Sequence, residues 1–288
     1  MPELSRTLLL PAMRAAGALN LPLMLANPFA THRMPLHAPD FPLVLLYTGK
    51  AGSTSLIKWF LFQIGKLDEA LELHPRVHRY RKSVLLRQPG YRWRATRLII
   101  SRQKPIFKLV RNPYNRAVSS FLATLSHTRE HESNPWGRSP IAAARKLAGK
   151  PASPIPALSF RDFVRFLAKN GTERWNMNGH VARQHVPGED GRIDRIIRLE
   201  RFAAEMRQIE REYRLAESPD ELISQPHHQR AQAEAAASYS SCAADLELTS
   251  PDVRQGRFPP YDVFYDDETR RLVRQCFAAD FEAYGYDV

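Results

Sequence analysis

Residues 42–65 read Pro42-Leu43-Val44-Leu45-Leu46-Tyr47, then Thr48-Gly49-Lys50-Ala51-Gly52-Ser53-Thr54-Ser55, then Leu56-Ile57-Lys58-Trp59-Phe60-Leu61-Phe62-Gln63-Ile64-Gly65. The first run is apolar without alternation, the pattern of a strand buried on both faces of a parallel sheet. The last is apolar nearly all round and closes on a glycine, which predicts a buried helix ending in a left-handed residue. The turn between them suits an anion. Backbone N–H groups converge there, the helix dipole is positive there, and glycine lets a ligand approach the backbone closely. Ser53, Thr54 and Ser55 add hydroxyl donors, and Lys50 adds a mobile positive charge. A helix cap with no ligand would need one Ser and neither the Lys nor the Gly.

The pattern recurs along the chain. Residues 105–110 predict a second strand; Arg111 leaves its end, Asn112 suits the N-cap, and Pro113 suits the first position of a helix that runs to about Ser126. Residues 193–199 predict a third strand, followed by a charged amphipathic helix over 202–213. This alternation predicts an α/β fold with a doubly wound, mostly parallel sheet, helices on both faces and a P-loop-like anion loop. Residues 127–159, rich in Pro, His and basic side chains, and 216–260, rich in Ala, Ser, Gln and Pro, read as long irregular insertions. A last helix from about residue 267 to 284 sets Leu272, Cys276, Phe277, Phe281 and Tyr284 at helical spacing as a core face. The expected organisation is an arm or docking helix over residues 1–40 and a single domain over 41–288.

Composition bounds the partners. The chain has 288 residues, 43% of them hydrophobic and 25% charged, values that argue against both wholesale disorder and a membrane-embedded body. Forty-two Lys and Arg against thirty Asp and Glu give +12, a balance that attracts polyanions without choosing among nucleotide, anionic glycan, membrane and nucleic acid. Cys242 and Cys276 stand far apart, with no spacing of a zinc site or a disulfide framework, so a reducing cytoplasm is expected. The apolar stretch over 8–25 is broken by Pro11, Arg14, Asn20 and Pro22. It fits a docking arm compatible with peripheral membrane contact better than a span or a signal peptide.

A triphosphatase loop needs Gly-x-x-x-x-Gly-Lys-Ser/Thr. Here Val44 takes the place of the first glycine and Ala51 that of the Mg²⁺-binding hydroxyl. The second strand ends in Arg111 rather than an acid, which would repel a metal and attract a phosphate. Lys50-Ala51-Gly52-Ser53-Thr54-Ser55 resembles the loop that binds the 5′-phosphosulfate of 3′-phosphoadenosine 5′-phosphosulfate (PAPS) in the sulfotransferase superfamily. The likeness is greatest to the carbohydrate sulfotransferases of family 2 and their bacterial relatives. Residues 110–121 resemble the family's second motif, and Arg111 and Ser119 match its two 3′-phosphate ligands. The resemblance continues more weakly through 178–184, 197–200 and the C-terminal tail, but the family's Asn-Lys-Ser-like segment is replaced by Pro226-His227-His228-Gln229-Arg230.

The resemblance implies PAPS as donor, adenosine 3′,5′-bisphosphate (PAP) as product, no metal, and a carbohydrate or glycoconjugate as acceptor. Lys50 would stabilise the leaving nucleotide. Relatives carry a catalytic His or Glu after the first helix, where this chain offers His78 first, then His74 and Glu72. His180 and His185 are further candidates for acceptor contacts. The rivals are a P-loop kinase or nucleotide triphosphatase, and a non-catalytic polyanion-binding module using the basic segment 76–102. No nucleic-acid partner is expected, and acceptor identity and oligomeric state are not written in the sequence.

Overall fold

The computed structural model describes residues 34–126, 135–151, 153, 155–173, 177–224 and 241–287, so the greater part of the expected N-terminal arm lies outside the described residues. Strand β1 (Val44–Tyr47) leads into helix α1 (Ser53–Gln63), followed by α2 (Leu67–Leu73), α3 (His78–Ser83) and α4 (Tyr91–Ser101). Strand β2 (Ile106–Val110) then leads into α5 (Pro113–Ser126), α6 (Pro135–Leu147) and α7 (Phe160–Asn170). After β3 (Arg195–Arg198) come α8 (Phe202–Tyr213), α9 (Asp220–Ile223), α10 (Ser250–Arg254), α11 (Asp267–Cys276) and α12 (Ala278–Tyr284).

The strands form one parallel sheet in the order β1-β2-β3, with Leu45 opposite Phe107 and Leu109 opposite Ile197. Successive side chains leave opposite faces, and each face meets its own core. Leu45, Tyr47, Phe107, Leu109 and Ile197 pack with Trp59 and Phe60 of α1 and with Phe202 and Met206 of α8. Val44, Leu46 and Ile106 pack on the other face with Ile99 and Val186. Burial on both sides is why β1 carries no polar residue, whereas β2 admits Lys108 and the sheet-edge β3 buries only Ile197; the α/β fold expected from these runs is the one that forms. A third cluster, away from the sheet, joins α5, α6, α7, α11 and α12 through Phe121, Phe160, Phe163, Phe264, Phe277 and Phe281. Among the described residues no helix is long and apolar enough to cross a membrane.

Two expectations change in detail. The stretch 127–159 is not irregular throughout, because α6 occupies its middle and buries Ile141 and Ala144. Leu158 then bridges Leu248, which ties the two insertions together. The C-terminal helix is two helices. Phe277, at φ −119 and ψ 26, breaks it. The break turns Asp280 inward, where its carboxylate accepts the N–H groups of Gln184 at 2.8 Å and His185 at 2.7 Å. Spacing alone gave Phe277, Phe281 and Tyr284 as buried, whereas Leu272 and Cys276 are half-buried at the edge of the core and Val273 and Asp280 are fully buried.

Candidate active site

The carboxyl ends of all three strands meet at the turn after β1, the position where open parallel sheets bind ligands. Lys50 is left-handed at φ 65 and Gly52 at φ 82. Among the described residues the other two non-glycine residues with positive φ, Arg102 and Arg214, cap helix ends, whereas Lys50 sits in the turn itself. A left-handed lysine costs about 1–2 kcal/mol, a strain that marks functional turns, and alternating backbone hand of this kind makes a concave nest of N–H groups. A Cβ on Gly49 would lie 2.2 Å from the backbone oxygen of Gly179, which leaves no room for a side chain, while at Gly52 the left-handed φ of 82 disfavours one. Helices α7, α10 and α11 are capped by Ser159, Thr249 and Asp266, but no side chain caps α1 and no acid lies in its first turn. Helices α2, α3, α4, α8, α9 and α12 also start without a side-chain cap, and the positive end of α1 is of the kind that can accept an anion.

Four side chains lock the strand ends together. The Arg111 guanidinium donates to Lys50 O at 3.3 Å, bringing the two phosphate motifs into contact. Gln184 clamps the Arg111 backbone from both sides, accepting its N–H at 2.9 Å and donating to its carbonyl at 2.8 Å. Fully buried Arg116 donates to Gly49 O at 3.0 Å and to Ala182 O at 2.6 Å. Glu200, just past β3, accepts the Asn112 N–H at 2.7 Å. The Arg111 head also stacks over Tyr261, 5.4 Å from the ring centroid. Ser119 is 8% exposed on α5, about two turns from its start.

Among the proton-acceptor candidates the structure separates sharply. His78, at the start of α3, brings Nε2 to 3.0 Å from Thr54 Oγ1, a hydroxyl of the anion loop. His74 instead accepts the Arg76 N–H at 2.8 Å on Nδ1 and closes its own turn. Glu72 projects into solvent from α2. His180 follows Gly179, whose carbonyl abuts Gly49, and its own carbonyl accepts the Ser120 hydroxyl at 2.6 Å. His185 turns to Asp190 at 3.1 Å.

A family model described as the sulfotransferase family, of the family 2 group, matches residues 35–287. The chain belongs to the sulfotransferase family. No curated protein and no solved structure shows a significant match to it.

In this sulfotransferase the residues that sequence reasoning missed are Arg116, Gln184 and Tyr261. Arg116 and Gln184 lie inside the stretches that carry the family likeness, yet their roles depend on carbonyls 67 and 73 positions away. Tyr261 had no local signal, being one aromatic in a Pro-rich stretch. Among the described residues no group of three or more His, Cys, Asp or Glu side chains is arranged to hold a metal ion.

Proposed function

We propose that this sulfotransferase moves a sulfuryl group from PAPS to a hydroxyl or amine of a carbohydrate-like acceptor, releasing PAP, without a metal. The observation that carries the reading is the Arg111–Lys50 contact at 3.3 Å. It sets a strained, uncapped anion loop against a strand-end arginine, the pairing that a nucleotide phosphorylated at both its 3′ and 5′ positions needs. PAPS supplies the sulfuryl group when bound. Backbone N–H groups of Ala51 and Gly52 and the hydroxyls of Ser53, Thr54 and Ser55 hold its 5′ end, while Arg111 and Ser119 hold the 3′-phosphate. Lys50 places an ammonium where charge develops on the departing bridging oxygen. His78 takes the acceptor proton on its imidazole, kept beside the loop by Thr54. A sulfuryl group carries less charge than a terminal phosphoryl group, so fixed donors can replace a metal clamp. The carbohydrate leaning follows from the likeness of Lys50 to Ser55 to the carbohydrate group of the family. The free thiols Cys242 and Cys276 suit a cytoplasmic enzyme.

Calorimetry in metal-free buffer tests the donor, with PAP titrated against ATP plus Mg²⁺ as competitor. Selective micromolar binding of PAP is expected, and preference for MgATP would overturn the reading. Lys50→Ala is expected to abolish transfer while circular dichroism stays that of the parent; full activity in that variant would remove Lys50 from the chemistry.

A further inference from the structure

From Leu73 to Asn112 there are twelve Lys and Arg residues and no Asp or Glu, so these forty residues carry as much positive charge as the whole chain's +12. They build α3, α4 and β2, and they include His78. Within this segment Arg81 stands apart. Four Lys or Arg side chains among the described residues are buried: Arg81 at 5% exposure, Lys108 at 1%, Arg116 at 1% and Arg145 at 9%. Lys108 pairs with Glu189 and donates to Gln184 O at 2.8 Å. Arg116 holds the carbonyls of Gly49 and Ala182, and Arg145 those of Ala157 and Pro151. Arg81 has neither a carboxylate nor a carbonyl partner among the described residues, and its Nε is buried without a hydrogen bond.

Its one contact of note is with the ring of Tyr47, 5.9 Å from the guanidinium carbon. A cation–π contact contributes about 0.5–2 kcal/mol, whereas burying an unpaired charge costs several kcal/mol, so the ring does not compensate the burial. Tyr47 is the last residue of β1, immediately before the anion loop, and the next residue, Thr48, holds a buried hydroxyl without a hydrogen-bond partner among the described residues. His78 and Arg81 are three residues apart on α3 and therefore lie on one side of it, about 5–6 Å apart at Cβ. The side that brings His78 to Thr54 also brings Arg81 to Tyr47.

We propose that Arg81 is a specificity-determining residue of the acceptor site and takes an anionic group carried by the acceptor close to the hydroxyl or amine that reacts at His78. The group is a carboxylate, phosphate or sulfate ester, all of which accept from the guanidinium fork. The exposed arginines of α3 and α4 extend the same field outward and draw such acceptors in. The assignment rests on the sulfotransferase reading above.

The test uses the full chain saturated with PAP and compares binding of p-nitrophenyl β-glucoside with its 6-carboxylate, 6-phosphate and 6-sulfate counterparts by calorimetry. At least one charged glycoside is expected to bind about tenfold or more tighter than the neutral one, as a charge-assisted hydrogen bond implies. Arg81→Gln is expected to bring that ratio to near one with PAP affinity unchanged, and Arg81→Lys to keep part of it. No preference in the parent protein for any of the three anions, or a preference that Arg81→Gln leaves intact, overturns the proposal. Should Arg81→Gln unfold, the parent ratio and the Arg81→Lys variant still decide. Absence of PAP binding would instead strike the donor reading, so the two failures are distinguishable.

Discussion

His78 and His74 are four residues apart and both follow the first helix within about one turn of each other, yet His78 reaches the anion loop through Thr54 and His74 closes its own turn. The 3.0 Å contact to Thr54 holds His78 there, while His74 is committed to the Arg76 N–H. At the residue scale this difference has a kinetic consequence. His78→Gln is expected to lower kcat by about 10²–10⁴-fold, the usual contribution of a general base, with PAP affinity retained. The same change at His74 should leave kcat near the parent value. Steady-state kinetics on the two variants check this, and the opposite ranking would move the base to His74. Gly49 and Gly52 show the same dependence on neighbours: the turn chemistry explains a glycine at Gly52, but only the approach of Gly179 O explains one at Gly49.

At the scale of elements, a capped helix start anchors the junction between α7 and α11. Helix α11 starts from a capping box of Asp266 and Thr269, and Arg161 of α7 donates to Asp245 at 2.6 Å, Asp266 at 2.5 Å and Glu268 at 2.6 Å. Burial works against the Asp266 charge, but the Thr269 N–H and Arg161 outweigh it and hold its pKa at about 2, below the ordinary 3.8. The Arg161 bonds also lower Asp245, and Arg165 and Arg161 lower Glu268. A carboxylate whose folded pKa is depressed contributes stability that is present above its unfolded value and lost as pH falls through the folded one. The α7–α11 junction is therefore expected to weaken between about pH 4 and pH 2. Urea midpoints measured across that range should fall steeply in the parent protein and less steeply in Arg161→Met; identical slopes would remove the clamp from acid stability. Helix α1 has none of these devices, and α2, α3, α4, α8, α9 and α12 likewise start without a side-chain cap.

At the scale of the whole molecule, a buried charge pair joins the sheet to the C-terminus. Lys108, central in β2 and 1% exposed, pairs with Glu189, whose other oxygen accepts the Tyr284 hydroxyl at 2.7 Å from the end of α12. Removing one partner leaves the other charge buried, so Lys108→Met is expected to cost about 3–5 kcal/mol in urea unfolding. Lys108→Met combined with Glu189→Gln, which still accepts from Tyr284, should cost much less; an additive penalty would mean the pair is not coupled. The sequence by itself determined the β1–loop–α1 unit, the Arg111–Pro113 helix start and α8, because periodicity, glycine and capping signals act within a turn or two of chain. It also determined the family, since Lys50 to Ser55 and Arg111 to Ser119 lie on two such local units. Only the tertiary structure brought His78 against Thr54, set Arg116 and Gln184 as latches, divided the last helix at Phe277 and left Arg81 buried without a counter-charge among the described residues. These features join residues 24, 67, 73 and 96 positions apart in the chain, a separation over which no local pattern carries information and only packing decides.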